Sequence, residues 1–157
     1  MKILVFSDSH LHLDYMMDLT RRVQPDALIH LGDYFADGQA LSAAFPQIPF
    51  YAVPGNCDQY KPGPFPPAVR IVELDGLRFY LTHGHKHGVK YDLSKLKADA
   101  RLEKADAVLF GHTHEQVNQF EGSLWVINPG TCGAFCAGAA LIVTENNKIS
   151  HCALLTR

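Results

Sequence analysis

The chain has 157 residues, 47% apolar and 19% charged, a balance that supports a packed core and argues against disorder. Fourteen basic against sixteen acidic residues leave a formal charge of −2, which argues against a dedicated nucleic-acid surface but leaves a small nucleotide open. No apolar run approaches the roughly 20 residues that span a bilayer, and Cys57, Cys132, Cys136 and Cys152 are too few for a disulfide framework. The expectation is one domain, 1–157, cytoplasmic and free of the membrane, with its thiols reduced.

The elements follow in chain order from the spacing of apolar residues. A strand at Ile3–Phe6 precedes Leu13, Met16, Met17, Thr20 and Val23, whose spacing lines one face of a helix. A strand at Ala27–Leu31, a helix over Gly38–Phe45 and a strand at Phe50–Val53 come next. The run Lys61-Pro62-Gly63-Pro64-Phe65-Pro66-Pro67 is a loop. Strands at Val69–Leu74 and Leu77–Thr82 flank Asp75-Gly76, a hairpin signal. Tyr91–Lys104 predicts a helix with Leu93, Leu96 and Ala100 on one side. Strands then follow at Ala107–Phe110, Leu124–Asn128, Ala139–Thr144 and Ile149–Leu155. The first third alternates strand and helix and the second half is richer in strands, so an α/β layered domain with two mixed sheets is expected.

Five of these strands end in side chains able to bind a metal. They lead into Asp8-Ser9-His10, Gly32-Asp33, Gly55-Asn56-Cys57-Asp58, His83-Gly84-His85 and Gly111-His112-Thr113-His114. In α/β sheets ligands bind beyond the carboxyl ends of the strands. If these ends lie together, Asp8 and Asp33 repel each other unless a cation stands between them. Imidazole with carboxylate suits manganese, iron, zinc or nickel. Each segment alone is ordinary: a lone aspartate reads as a cap or turn residue, and His30, inside an apolar run, as a core or supporting histidine. Their joint occurrence is not ordinary.

In this order the five segments resemble the calcineurin-like metallophosphoesterase superfamily. The Gly-Asn-Cys-Asp form and the short chain are most similar to its small YfcE-type phosphodiesterases. The resemblance implies a four-layer αββα sandwich, two mixed sheets flanked by helices. It also implies two divalent ions, manganese first, with iron, nickel or zinc as alternatives. Asp8, His10 and His114 would hold the first ion, Asn56, His83 and His112 the second, and Asp33 would bridge them. The implied reaction is hydrolysis of a small phosphodiester by a hydroxide shared between ions about 3.5–4 Å apart, attacking phosphorus in line. The alternatives are a phosphomonoesterase, a metal-dependent hydrolase of other esters, and a non-catalytic binding or scaffolding protein such as the retromer subunit of the superfamily. A homo-oligomer stays open.

The chain departs from that pattern in places. Many members carry histidine directly after the Gly-Asn, the group credited with protonating the leaving oxygen, and here Cys57 stands there. A thiol is mostly protonated at neutral pH but donates weakly, so leaving groups that need little protonation, such as aryl oxides, are expected. Asp58 is expected to orient His83 or His10, or else to cap its turn. His85 is a candidate contact to substrate phosphate or leaving oxygen, and His87 a solvated loop residue. Asn128-Pro129-Gly130-Thr131 resembles the family's Asn-Pro-Gly-Ser turn. The proline-arginine that often follows is replaced by a stretch containing Cys132 and Cys136, of open role, so no arginine is assigned to substrate.

Overall fold

Apolar runs of three to nine residues pair into two sheets because each can bury both faces only between a second sheet and a layer of helix. The computed structural model describes residues 1–61, 63–133 and 137–157. In chain order the elements are β1 Lys2–Phe6, α1 Leu13–Val23, β2 Ala27–His30, α2 Phe35–Ala44, β3 Phe50–Ala52, β4 Val69–Leu74, β5 Leu77–Thr82, α3 Ser94–Leu102, β6 Ala107–Leu109, β7 Gln116–Glu121, β8 Leu124–Pro129, β9 Gly138–Glu145 and β10 Lys148–Thr156. Single 3-10 turns lie at Asp58–Tyr60 and His85–His87.

One sheet has the order β10-β9-β1-β2-β3 and the other β4-β5-β6-β8-β7. The pairs β1–β2, β2–β3, β5–β6 and β6–β8 are parallel, and the pairs β1–β9, β9–β10, β4–β5 and β7–β8 antiparallel. Both sheets are therefore mixed, as expected. Between them lies a core of Ile3, Val5, Ile29, Leu31 and Ile142 from the first sheet against Val72, Phe79, Leu81, Leu109 and Ile127 from the second. Alternate residues of the same strands face outward. Leu4, Phe6 and Leu28 meet Met16, Leu19 and Leu41 of α1 and α2, while Tyr80, Val108 and Val126 meet Leu96 and Ala100 of α3. The result is the four-layer αββα order.

Three differences from the sequence expectation have local causes. β7 was not expected because Gln116, Asn118, Gln119 and Glu121 interrupt any apolar alternation; it is an edge strand whose outer side chains face solvent. The amides of Gln116 and Asn118 donate to the carbonyls of Leu155 and Cys152, tying this edge to β10 of the other sheet. α2 starts at Phe35, ahead of Gly38, because Phe35 is buried. α3 starts at Ser94, since Asp92 accepts the Ser94 N–H at 2.7 Å and Tyr91 is left exposed. Among the described residues no helix is long and apolar enough to cross a membrane.

Candidate metal centre

The sheet order brings the ends of β1, β2, β3, β5 and β6 to one pole, where the chain turns sharply. Asp8, His10, Asp33, His112 and His114 all have positive φ, between 43° and 68°. Non-glycine residues adopt that region rarely, and a cluster of them marks a site whose surroundings impose the geometry. Two glycines allow the loops to close: a Cβ on Gly55 would collide with the Asp33 carboxylate, and one on Gly111 with the Ser7 hydroxyl.

The ligand atoms of Asp8, His10 and His114 form one compact group, and those of Asp8, Asp33 and His83 another, each within 4.8 Å. His83 is fully buried and donates its Nδ1–H to the Leu31 carbonyl at 2.8 Å. Its Nε2 then faces Asn56 Oδ1 (3.1 Å), Asp33 Oδ1 (3.5 Å) and Asp8 Oδ1 (3.9 Å). Two carboxylates buried side by side call for a cation between them. Asp8 Oδ1 and His10 Nε2 are buried without a hydrogen-bond partner, although His114 Nε2 approaches Asp8 Oδ1 to 3.2 Å. These orphaned atoms and their imidazole, carboxylate and amide chemistry fit divalent cations. His112 lies ring to ring with His83, centroids 5.0 Å apart, and His10 meets His114 at 5.4 Å. All seven sequence-predicted ligand residues thus adjoin one centre. Asp8 belongs to both compact groups and Asp33 to the second.

Burial raises the Asp8 carboxyl, but the His114 and His83 imidazoles and the Ser7 hydroxyl outweigh it and leave it below the ordinary value. Contact with Asp8 correspondingly raises His114. Burial, then His83 and Lys90, lower His112 to about 4, keeping its ring neutral and its lone pair free for a metal.

A second layer holds these groups in place. Asp8 Oδ2 accepts from the Ser7 hydroxyl and the His112 N–H, and Asp33 Oδ1 from the Cys57 N–H at 2.8 Å. His30 accepts the Gly32 N–H on Nδ1, leaving Nε2–H for the Ser9 hydroxyl. Ser9 donates on to Asp37, which also accepts the Leu11 N–H. Asn128 donates to the Gly111 carbonyl and Thr113 hydroxyl and accepts the Gly130 N–H. Asp37 was missed in the sequence, where it reads as one more acid in a helical stretch.

Cys57 sits beside Asp33, with the Asn56 amide 3.5 Å from its sulfur; burial and the Asp33 carboxylate push its thiol up to about 11. Asp58 corrects one expectation: it orients neither His83 nor His10. Its oxygens accept the N–H groups of Phe35 and Gly55, each at 2.8 Å, so it caps its own turn and pins that turn to the start of α2. His85 lies 5.4 Å ring to ring from His83 with a buried, unpartnered Nδ1. His87 is not solvated as expected; it is buried away from the centre, with Nε2 3.1 Å from the Tyr80 hydroxyl and 3.5 Å from Asp99. Cys132 is buried in the core, and Cys136 lies outside the described residues.

Comparison with known proteins agrees with this geometry. The calcineurin-like phosphoesterase superfamily domain matches residues 1–147. The chain is 31% identical over 134 residues to the probable metallophosphoesterase YsnB of Bacillus subtilis, covering 83% of this chain and 75% of that one. It is 32% identical over 110 residues to the Escherichia coli phosphodiesterase YfcE, covering 66% and 56%. Its fold matches an archaeal phosphodiesterase with a TM-score of 0.75 at 24% identity over the whole of both chains. It also matches Vps29 of Entamoeba histolytica with a TM-score of 0.76 at 16% identity, covering 100% of this chain and 99% of that one. From its sequence match and its architecture, the chain belongs to the calcineurin-like phosphoesterase superfamily.

Proposed function

We propose that this protein is a metal-dependent phosphodiesterase acting on small phosphodiesters at a centre for two divalent ions. The observation that carries the reading is the buried His83, anchored through Nδ1 on the Leu31 carbonyl, whose Nε2 faces the oxygens of Asn56, Asp33 and Asp8. Asp8, His10 and His114 would hold one ion, and Asn56, His83 and His112 the other, with Asp33 shared between the two positions. Bound ions supply polarisation of the phosphoryl oxygens and a water of lowered pKa for in-line attack. Manganese is the first choice for this set of oxygen and imidazole donors.

The chain's own residues supply orientation. The Leu31 carbonyl fixes the His83 tautomer, and the N–H groups of His112 and Cys57 fix the carboxylates of Asp8 and Asp33. Such outer contacts set ligand direction and basicity. Cys57 keeps its proton at neutral pH, which makes it a weak donor beside the leaving oxygen and a poor nucleophile. Diesters with good leaving groups are therefore the expected substrates.

The test is hydrolysis of an aryl phosphodiester by purified protein, stripped by chelator and reloaded with Mn²⁺. Activity should require the metal, and Asp33→Ala or His112→Ala should lower kcat/KM by roughly 10³ or more. Full activity in either variant overturns the ligand assignment. Mn²⁺ binding with no turnover of diesters or monoesters favours a binding module instead.

A further inference from the structure

His10 differs from the other predicted ligands of its group in what holds its ring. Its Nε2 is buried with no hydrogen-bond partner. His83, by contrast, is anchored on the Leu31 carbonyl, and His114 Nε2 lies 3.2 Å from Asp8 Oδ1. Packing must therefore set the direction of the His10 ring. Two rings meet it: His114 at 5.4 Å between centroids, and Tyr34 at 5.0 Å in an edge-to-face arrangement with 65° between the planes.

Tyr34 occupies a position where its own helix has little use for it. It is the N-cap of α2, where a short polar side chain would accept a free N–H, yet its side chain makes no such bond. That task falls to Asp58, in the turn after β3, which accepts the Phe35 N–H at 2.8 Å. Tyr34 also has φ 67° and ψ 55°, the left-handed region that a bulky residue keeps only when its surroundings impose it. Neither capping nor backbone preference accounts for an aromatic residue here. The contact with His10 does.

A segment from farther along the chain holds that ring. The Lys61 N–H donates to the Asp58 carbonyl at 2.9 Å, and Lys61 Nζ lies 3.9 Å from the Tyr34 ring centroid. Beyond it, Phe65 meets Phe35 edge to face, at 5.5 Å and 86°. The segment thus lays a side chain on each of the two consecutive aromatic residues that follow Asp33. An ammonium is attracted to the face of a ring, and aromatic pairs favour the edge-to-face arrangement. Both contacts favour the orientation in which Tyr34 meets His10.

We propose that Tyr34, held by Lys61, is a positioning residue that sets the direction of the His10 imidazole toward its ion. The inference rests on the reading of the centre as a metal site and adds to it two residues that coordinate nothing. An imidazole free to turn loses that freedom when it binds an ion. Tyr34 imposes the restriction beforehand, as outer contacts of metal ligands do.

The experiment is calorimetric titration of the chelator-stripped full chain with Mn²⁺. It compares wild type with Tyr34→Ala, Tyr34→Phe, Lys61→Met and His10→Ala, alone and combined. Tyr34→Ala should weaken the binding of one ion by about tenfold or more, whereas Tyr34→Phe, which keeps the ring, should stay within about twofold of wild type. Lys61→Met, an exposed change, should weaken the same ion about threefold. In the His10→Ala background, Tyr34→Ala should bring a further loss of no more than about twofold, because its effect passes through that imidazole. A merely structural role would weaken both ions and add in full to His10→Ala. That result, equal losses in the Ala and Phe variants, or wild-type affinity in Tyr34→Ala overturns the inference. Unchanged affinity in Lys61→Met overturns the part given to Lys61. Should Tyr34→Ala fail to fold, Lys61→Met with and without His10→Ala decides: a loss that vanishes in the His10→Ala background supports the inference, and no loss or an additive one overturns it. Wild type that binds no Mn²⁺ sinks the metal reading itself, whereas Mn²⁺ binding indifferent to position 34 sinks the inference alone.

Discussion

At the scale of single residues, the centre depends on which atom of each side chain is left without a partner. His83 gives its Nδ1 proton to a backbone carbonyl, which turns its other nitrogen toward the oxygens of Asn56, Asp33 and Asp8. His10 Nε2 and Asp8 Oδ1 are buried and unsatisfied, a state that costs about 1–3 kcal/mol per group unless an ion fills it. Cys57 is the residue at which rate, more than metal binding, is expected to be decided. Cys57→His would place an imidazole, a far better donor near neutral pH, beside the leaving oxygen. Turnover of alkyl phosphodiesters should rise roughly 100-fold with little gain on aryl esters, flattening the dependence of kcat/KM on leaving-group pKa. Metal content is measured in parallel; an unchanged dependence at full metal occupancy would show that position 57 does not face the leaving group.

At the scale of elements, the loops after β1, β6 and β8 are locked to one another rather than to their own strands. Asn128, at the end of β8, holds the Gly111–Thr113 segment through two bonds and its own Pro129–Gly130 turn through a third. Thr131 reaches back to the Asp8 carbonyl at 2.8 Å. Asn128→Ala leaves the buried Gly130 N–H unmatched and the Gly111 carbonyl with only the Thr113 N–H, and it frees the loop that carries His112 and His114. It should cost about 1–3 kcal/mol in urea denaturation and weaken Mn²⁺ binding by roughly 10- to 100-fold in a metal titration. Loss of stability with metal affinity intact would mean that the loop holds its positive-φ geometry without Asn128.

At the scale of the whole molecule, two sheets with a shared core bring acidic and imidazole groups from five strand ends together, and that convergence has a thermodynamic cost in the metal-free chain. Asp8 and Asp33 are both buried and both beside His83. Manganese at about 100 times its dissociation constant should add about 2.7 kcal/mol, a Tm rise of roughly 5–10 °C for a chain of this size. Scanning calorimetry with and without chelator measures it, and Asp33→Ala should reduce the rise. A wild-type Tm that ignores Mn²⁺ would argue against a preformed centre. The sequence by itself determined the strands with unbroken apolar runs, the α1 face and the order of ligand types after five strands, because those are local patterns of period and chemistry. It did not show β7, whose polar edge carries no period, nor the partners of Asp58, His87, Asp37 and Asn128. Asp58 and His87 sit in loops where sequence spacing says nothing about direction, and their environments are set by elements distant in the chain. Which atoms remain unpaired at the centre, only the packing of one sheet on the other decided, because their neighbours come from strand ends far apart in the chain.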